Sequence, residues 1–240
     1  MPKNSLEKFK KTKTLINKLF NSVGFIIIIG ISIMLKTLFF YQDTIMIREQ
    51  LNFNIIIGSI TFITIMLLIC LTLSNRQRIF IALAFDLIIS ILLLGDNLYY
   101  AYSSNVLSVS QITNLQYGEE IMTTLPMLIK FRHIVYFIDL IIIFALIISK
   151  YLKVEEKRKS DKKGKILRII SGCLAIFIYV IIGNTYSAKA FEDPYNKDLQ
   201  IKKASIYGYH IADIKNAFQI KKQAIYTNKE DMEKDYDILK

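Results

Sequence analysis

The sequence predicts an all-α polytopic membrane protein with five transmembrane helices and a short extracellular helical tail. Its 240 residues are 53% hydrophobic, their mean hydropathy is +0.37, and the apolar residues form long blocks. A water-soluble domain seldom combines this composition with uncharged runs of about 20 residues. Only 9 Gly and 3 Pro are present, which excludes a collagen-like or low-complexity chain. A bilayer is therefore a better solvent for this protein than water.

Five segments are long enough to cross a hydrocarbon core of about 30 Å, which needs about 20 mostly apolar helical residues. Buried strands are excluded by length, because strands usually end after about 4 to 8 residues. The expected membrane domain covers residues 19–188, between a basic cytoplasmic amino terminus (1–18) and an extracellular linker (189–240). Its five spans are expected at about 19–40, 54–74, 79–98, 134–150 and 166–186.

The basic residues are unevenly divided between the two sides of these spans. Sixteen Lys and Arg residues precede the first span or lie in the second-to-third and fourth-to-fifth connections, whereas the other two connections contain only Arg48, Lys130 and Arg132. Short loops rich in Lys and Arg stay in the cytoplasm. The protein is therefore expected in the cell membrane with its amino terminus on the cytoplasmic side. An odd number of crossings puts the carboxyl terminus on the extracellular side.

Cysteine usage and processing signals add little to this topology. Cys70 and Cys173 should both lie near the cytoplasmic leaflet, where a disulfide is not expected. The first apolar run begins too late and is too long for a simple cleaved signal sequence. Ala188-Lys189-Ala190 after the fifth span imitates a cleavage site, but we expect ordinary interfacial residues there.

Three ionisable residues lie within or at the edge of the spans, where each costs free energy unless it is paired, hydrated or neutralised. With a rise of about 1.5 Å per residue, Lys36 and Asp139 should reach a similar depth, whereas Asp86 should lie too close to the inner face to reach Lys36. We therefore expect a Lys36–Asp139 pair and a protonated or hydrogen-bonded Asp86. The alternative is that Lys36 extends to the outer headgroups. A further hypothesis is that these charges line a substrate or proton route.

The long outer loop, about residues 96–133, is expected to lie on the membrane surface. Its tyrosines suit the interface, and Pro126 should break any helix there, leaving a short interfacial or re-entrant segment. Lys130, Arg132 and His133 follow, where the phosphate of an anionic lipid headgroup would lie. The alternative is that these three residues only mark a helix boundary.

The extracellular linker has a nearly balanced charge and should form two short amphipathic helices. Ile211, Ile214, Phe218 and Ile225 are expected on one apolar face, and Thr227 with Glu230 has the spacing of a capping box. About fifty residues are too few to bury a good core alone. The linker is therefore expected to rest on the membrane domain or on another domain.

No catalytic residue can be read from the sequence. It has only two histidines and lacks a metal-ligand spacing, a phosphate-binding loop and a nucleophile elbow. The basic stretch VEEKRKSDKKGK lies between two spans, so topology and anionic lipid explain it better than nucleic acid. No metal, no cofactor and no nucleic-acid partner is therefore expected for these residues.

Four strings nevertheless resemble the membrane half of the lipoteichoic acid synthase family, from about residue 15 to the end. They are LKTLFFY, ALAFDLIISILLLGDNLYYAYSSNVLSVSQ, IVYFIDLIIIF and YGYHIADI. The resemblance implies a Gram-positive membrane enzyme of the alkaline phosphatase and sulfatase superfamily, which transfers glycerol phosphate from phosphatidylglycerol onto a polyglycerol phosphate chain. It also implies an external domain with a Thr nucleophile and a manganese ion.

This chain reaches Lys240 without a counterpart of that external domain, so the resemblance carries over no catalytic residue. The expected function is the membrane-anchoring half of a lipoteichoic-acid-synthase-like transferase, with membrane lipids such as phosphatidylglycerol and a separate catalytic domain as partners. One alternative is a non-enzymatic membrane protein that binds or regulates a cell-envelope synthase. The other is a small transporter that uses Asp86 and Asp139, although the sequence shows no internal repeat and no Gly- or Pro-broken helix.

Overall fold

All regular secondary structure in the described part of the chain is helical, which confirms the predicted all-α class. The computed structural model describes residues 3–21, 23–44, 53–108, 124, 126–149, 152–154, 162–183, 185, 197 and 200–218. The helices are α1 (Lys3–Phe20), α2 (Val23–Asp43), α3 (Phe53–Leu71), α4 (Asn75–Ser103), a 3-10 helix (Phe131–Tyr136), α5 (Ile138–Ile148), and α6 (Lys162–Ile178), which a π-helix continues (Tyr179–Gly183). Residues 200–218 form a further helical segment, which we call the tail helix.

Among the residues that the structure describes, three helices are long and apolar enough to cross a membrane: α2, α3 and α4. They correspond to the first three predicted spans. α4 is longer than its predicted span because its ends are capped: the Gln77 side chain accepts a hydrogen bond from the Ser74 N–H at 3.3 Å, and Ser104 adopts a left-handed φ of 54° that ends the helix.

The fourth and fifth predicted spans are occupied by shorter apolar helices, Ile138–Ile148 and Arg168–Ile182. Their α-helical parts are less regular than expected, because a 3-10 helix precedes α5 and a π-helix follows α6. Neither irregular part contains a proline. Because both helices are shorter than a complete span, the number of crossings stays a prediction.

α2 packs against α1, α3 and α4, while α6 packs on α3. One apolar core extends from Phe20 at the end of α1 through the spans to Tyr209 in the tail helix. The outward faces are also apolar: Ile148 on α5 and Ile169 on α6 are 66% and 67% exposed. Large apolar side chains exposed on every side are typical of a surface that contacts lipid.

The amphipathic α1 carries six lysines and is joined to the segment that follows α5. The Lys153 N–H donates to Asn17 Oδ1 at 2.9 Å, and Asn21 Nδ2 donates to the Lys153 carbonyl at 2.7 Å. The end of α1 and the end of α5 therefore lie on the same side of the bundle.

The tail helix buries a different face from the predicted one. Ile214 and Phe218 are 45% and 71% exposed, whereas Ile206, Tyr207 and Tyr209 are buried. Ser205 has a left-handed φ of 68° and its Oγ accepts a hydrogen bond from the Gly208 N–H at 3.3 Å, as an N-cap side chain does. The predicted face is wrong because this helix is buried through Tyr207, Tyr209 and His210, which a count of aliphatic and Phe positions leaves out.

Other predictions fall partly outside the described residues. These are Ala188-Lys189-Ala190, Ile225, the Thr227 and Glu230 capping box, and most of the outer loop. Within that loop, residues 124 and 126–128 are helical, whereas residues 121–123 and 125 lie outside the described part, so the expected break at Pro126 stays a prediction.

Candidate functional site

A buried charge cluster joins α2, α4 and the first turn of α5. Lys36 Nζ lies 2.7 Å from Asp86 Oδ1 and 2.8 Å from Asp139 Oδ1. The side chains of Lys36 and Asp86 are 3% and 0% exposed, and that of Asp139 is 18% exposed. Because water is excluded here, each charge depends on the others for its stabilisation.

Hydroxyl groups complete this cluster. Lys36 Nζ also donates to Ser90 Oγ at 2.9 Å, so its three N–H groups have three oxygen acceptors. Ser32 Oγ donates to Asp139 Oδ2, and the Leu140 N–H donates to Asp139 Oδ1 at 2.9 Å. The Lys36 side chain is therefore held in place within the bundle and does not extend to the outer headgroups.

The position of Asp139 depends on the irregular fourth span. The 3-10 helix ends at Tyr136 and α5 begins at Ile138, so Asp139 lies in the first turn of an α-helix that starts inside the bundle. The amino-terminal end of a helix favours a carboxylate. The change from 3-10 to α-helix thus places a favourable helix end beside the charge cluster.

The cluster contains two carboxyl groups and one ammonium group. If both carboxyls are ionised, one negative charge is left in excess in a water-excluded site, which is costly. Asp86 Oδ2 is buried and accepts no hydrogen bond within the described part of the chain. One proton shared by the two carboxyls makes the cluster neutral, so the cluster has the composition of a proton-binding site.

A second polar cluster lies at the end of α2, around Asp43. Arg132 Nη1 is 2.6 Å from Asp43 Oδ1, and Asn97 Nδ2 donates both to Asp43 Oδ2 at 2.8 Å and to the Tyr136 hydroxyl at 3.1 Å. The Asp43 side chain is buried, whereas that of Arg132 is 48% exposed. Arg132 thus neutralises a buried carboxylate and keeps about half of its surface accessible.

His133 belongs to this second cluster but faces inward. Its Nδ1 accepts a hydrogen bond from the Lys130 N–H at 3.2 Å, and its Nε2 lies 4.0 Å from Asp43 Oδ2. Burial lowers the pKa of His133 below its usual value, and Arg132 and Lys130 act in the same direction, while Asp43 opposes them. The imidazole is therefore neutral at pH 7, with its proton on Nε2.

The tail helix is seated on the same end of the bundle. His210 Nε2 lies 2.7 Å from Asp96 Oδ2, which is fully buried near the end of α4. The other oxygen, Asp96 Oδ1, accepts a hydrogen bond from the Leu107 N–H at 3.3 Å. This pair joins the tail helix to α4 in a place closed to solvent.

Aromatic residues make the remaining contacts of the tail helix with α2 and α3. The Ile206 N–H donates to the Tyr41 hydroxyl at 2.8 Å, and the Tyr207 hydroxyl lies 2.5 Å from Thr37 Oγ1. The Tyr207 ring stacks on Phe62 with 4.3 Å between ring centroids. The tail helix therefore contacts three helices through directional interactions.

Gly58 allows this close approach. A Cβ atom at Gly58 would lie 2.8 Å from the Ala204 carbonyl oxygen, a distance that a backbone atom cannot relieve by rotating. Beside the seated tail, a small apolar pocket of about 190 Å³ lies between the part of α4 from Gly95 to Tyr102 and residues Leu107, Thr124 and Leu128. Both features lie at the end of the bundle opposite α1.

The family model described as the lipoteichoic acid synthase N-terminal domain matches residues 6–225, which is most of the chain. The chain belongs to this family. No curated protein and no solved structure matches it. Membership of the lipoteichoic acid synthase N-terminal domain family, together with the apolar helices, places the protein in a membrane.

Of the predicted intramembrane charges in this family member, the Lys36–Asp139 pair is confirmed. The expectation that Asp86 cannot reach Lys36 is wrong. α2 begins at Val23, four residues after the predicted start of the first span, and α4 begins at Asn75, four residues before the predicted start of the third span. At about 1.5 Å per residue, Lys36 therefore lies about 6 Å closer to the cytoplasmic face than expected, and Asp86 about 6 Å further from it. The two side chains therefore lie at similar depths.

The predicted headgroup residues Lys130, Arg132 and His133 do not form one exposed patch. Lys130 and Arg132 are exposed, whereas His133 is buried. Contact with a lipid headgroup stays a prediction for the two exposed residues. The resemblance implies a manganese ion in an external domain. The described residues contain no group of three His, Cys, Asp or Glu side chains that could bind a metal ion, so they do not fit a manganese site.

Asp43, Asp96 and His210 are functional-site residues that were not predicted from the sequence. The contacts of Asp96 and Asp43 are long-range, and His210 lies 114 positions from Asp96, so no local pattern links them. One signal was present: residues 204–212 contain no Lys, Arg, Asp or Glu, unlike the rest of the linker. Such an uncharged stretch in a charged segment indicates burial.

Proposed function

We propose that this protein is the membrane half of a lipoteichoic-acid-synthase-like glycerol phosphate transferase, which holds phosphatidylglycerol or the growing polyglycerol phosphate chain near the outer leaflet. The family match over residues 6–225 carries this proposal. The transfer reaction itself is assigned to an external catalytic domain, either joined after the tail helix or supplied by another polypeptide.

Five crossings are part of the proposal, and the positions of the helix ends support them. The 3-10 helix and α5 together are about 28 Å long, so a segment that begins at the outer interface with residues 131–133 reaches across most of a hydrocarbon core of about 30 Å. They lead from the Asp43 end of α2 to Lys153, which bonds to the end of α1 on the opposite side. The helical residues 162–183 then return towards the side of the tail helix, so the amino terminus is inside and the carboxyl terminus outside.

In this proposal, the tail helix positions the catalytic domain relative to the membrane. Hydrogen bonds, including the contact between His210 and Asp96, and a ring stack fix residues 204–210 on α2, α3 and α4. A domain joined after this helix would be held at a defined place over the membrane. Preorganisation of this kind reduces the entropy cost of bringing a catalytic group to a lipid substrate.

Lys130 and Arg132 are proposed to contact the phosphate of the lipid substrate. Both side chains are exposed near the outer ends of α2 and α4, and Arg132 is held by Asp43. The adjacent pocket of about 190 Å³ is lined almost entirely by apolar groups and tyrosine rings, which suit the upper part of an acyl chain.

The test measures release of diacylglycerol from phosphatidylglycerol in vesicles that contain this protein and an added external domain of a family synthase. The rate should rise when both parts are present, and Lys130→Gln should lower it about fivefold, because one basic residue near an anionic surface contributes about that factor. Lys10→Gln on α1 removes the same charge at the other end and should leave the rate unchanged.

Two results would contradict the proposal. One is diacylglycerol release by this protein without any added domain, since no catalytic group is assigned to it. The other is an added domain that works equally well with and without the protein. In the second case, co-purification from native membranes would distinguish a regulatory protein, which should retain an envelope synthase as its partner.

A small transporter is the second candidate, because one observation favours it. The charge cluster of Lys36, Asp86 and Asp139 lies beside a helix that begins inside the bundle, an arrangement typical of ion-coupled transporters. Proton flux into proteoliposomes that is abolished by Asp86→Asn would favour this function. Equal flux in protein-free and protein-containing vesicles would exclude proton transport.

A further inference from the structure

An apolar groove of about 470 Å³ runs between α4 and α5 on the outside of the bundle. Its walls are Phe80 and Leu87 of α4 and Ile141 and Phe144 of α5, each at least 45% exposed, while Ile79 at its floor is buried. Its volume falls within the range of about 300 to 1,000 Å³ that is usual for ligand pockets. The groove is therefore large enough for a ligand and open to the surrounding lipid.

The lining of the groove determines what can enter it. All twelve lining residues in the described part of the chain are apolar, so none of these side chains offers an occupant a hydrogen bond. α5 contributes no buried residue to the bundle, so its groove-facing side chains remain available for contact with lipid. A flexible hydrocarbon chain matches this surface, whereas a polar substrate would lose its hydration without compensation.

Basic residues lie at one end of the groove. Arg76 precedes Phe80, Leu83 and Leu87 by 4, 7 and 11 positions, so the four residues share one face of α4. Arg76 is exposed, as is Lys153, the neighbour of the lining residue Val154. Hydrogen bonds to Asn17 and Asn21 fix the Lys153 backbone at this position.

We propose that the groove holds one acyl chain of an anionic phospholipid whose headgroup lies at Arg76 and Lys153. By the distribution of basic residues, this end of α4 faces the cytoplasm, so the lipid belongs to the inner leaflet. It is a resident lipid at the end of the bundle opposite Lys130 and Arg132. The proposal therefore stands independently of the transferase function and of its substrate.

The shape of the groove favours lipid over a second copy of the chain. From Ile79 to Leu87 the helix rises only about 12 Å, and an α-helix with side chains is about 10 to 12 Å wide. A cleft between two neighbouring helices that measures about 470 Å³ cannot accommodate such a cylinder, but a single hydrocarbon chain can enter it. The two cationic side chains at its end then favour an anionic over a zwitterionic headgroup.

The absence of tryptophan from the chain allows a direct test. Phe144→Trp places the single tryptophan in the groove wall, and Phe177→Trp places it on the outer face of α6, with starting exposures of 65% and 62%. Each variant is reconstituted in phosphatidylcholine vesicles that contain an equal small fraction of brominated-chain phosphatidylglycerol or brominated-chain phosphatidylcholine. The measurement is quenching of tryptophan fluorescence by each brominated lipid.

At position 144 the anionic brominated lipid should be enriched about 25-fold over the zwitterionic one, about fivefold for each of the two basic contacts. At position 177 the two lipids should quench equally. Adding Arg76→Gln to Phe144→Trp should lower the preference about fivefold and leave the contribution of Lys153, whereas Arg76→Lys should retain the full preference. Ala84→Phe, which fills the groove wall, should reduce quenching of Trp at position 144 by both lipids.

Equal quenching at position 144, an equal preference at position 177, or a preference unchanged by Arg76→Gln would each overturn the proposal. Weaker quenching by both lipids at position 144 than at position 177 would also overturn it, because the groove would then be covered by protein. Thermal unfolding in detergent identifies variants that do not fold. If Arg76→Gln does not fold, the Ala84→Phe result decides.

Discussion

The imidazole of His210 lies 2.7 Å from the carboxylate of Asp96, and this contact joins the tail helix to the end of α4. Both groups are largely removed from water, with 11% and 0% of their side chains exposed. Removing one partner leaves the other polar group buried and unpaired, which costs more than the net value of the contact. The connection between the tail and the bundle therefore depends on this pair.

His210→Ala should lower the free energy of unfolding by about 1 to 3 kcal/mol, the usual cost of leaving a buried polar partner without its hydrogen bond. It should also expose residues 200–218 to a protease in detergent solution. Lys215→Ala, at an exposed position of the same helix, should change neither measurement. Identical protease resistance in His210→Ala and the unaltered protein would show that the pair does not hold the tail.

Lys36→Met should be more damaging, because it leaves Asp86 and Asp139 without their shared cation. Breaking a buried ion pair by removing one partner costs about 3 to 5 kcal/mol. Asp86→Asn added to Lys36→Met should recover part of this loss, since it removes one unpaired carboxylate, and thermal unfolding of the two single variants and the double variant measures the coupling. Leu35→Met, at a position 62% exposed, is the control. Additive effects of the two substitutions would argue against a functional cluster.

The sequence predicted the helical class and the first three spans, because a long apolar block has few alternatives in a membrane. It also predicted the Lys36–Asp139 pair, since depth follows from counting residues. It failed for Asp86 because the same counting carries an error of about 1.5 Å for each residue by which a helix end is misplaced. Errors of four residues in opposite directions were enough to separate Asp86 from Lys36.

The packing position of the tail helix could not be predicted from the sequence for a different reason. Apolar periodicity suggested Ile214 and Phe218 as the buried face, but the seat is made by Tyr207, His210 and the close approach at Gly58. These contacts depend on polar groups and a glycine that come from distant parts of the chain.

Gly58→Ala and Gly95→Ala make a matched pair. Glycine within a helix costs about 0.5 to 1 kcal/mol relative to alanine, so Gly95→Ala, which has open space around its Cβ, should stabilise the protein by about that amount. Gly58→Ala should instead destabilise it, because its Cβ would meet the Ala204 carbonyl oxygen at 2.8 Å. Melting temperatures of both variants decide the matter. Equal stabilisation by the two substitutions would exclude close packing at Gly58.

The stability of the Asp43 cluster should depend on pH through His133. Burial lowers the pKa of His133 below that of the unfolded chain, which is about 6.5. As pH falls through this value the unfolded state binds a proton before the folded state does, so the contribution is complete above about pH 6.5 and is lost below it. The melting temperature should therefore fall more between about pH 7.5 and pH 5.5 in the unaltered protein than in His133→Gln. The same decrease in both would locate the pH dependence elsewhere.

The proposed crossings can be tested by cysteine labelling in cells, starting from a Cys70→Ala/Cys173→Ala background. Lys215→Cys lies on the exposed part of the tail helix and Lys10→Cys on exposed α1. A membrane-impermeant maleimide added to intact cells should label position 215, and it should label position 10 only after permeabilisation. Because the proposal puts an odd number of crossings between the two sites, positions 10 and 215 must be labelled from opposite sides of the membrane. Labelling of both positions from the same side would require an even number, and the fourth or fifth apolar segment would then lie within one leaflet.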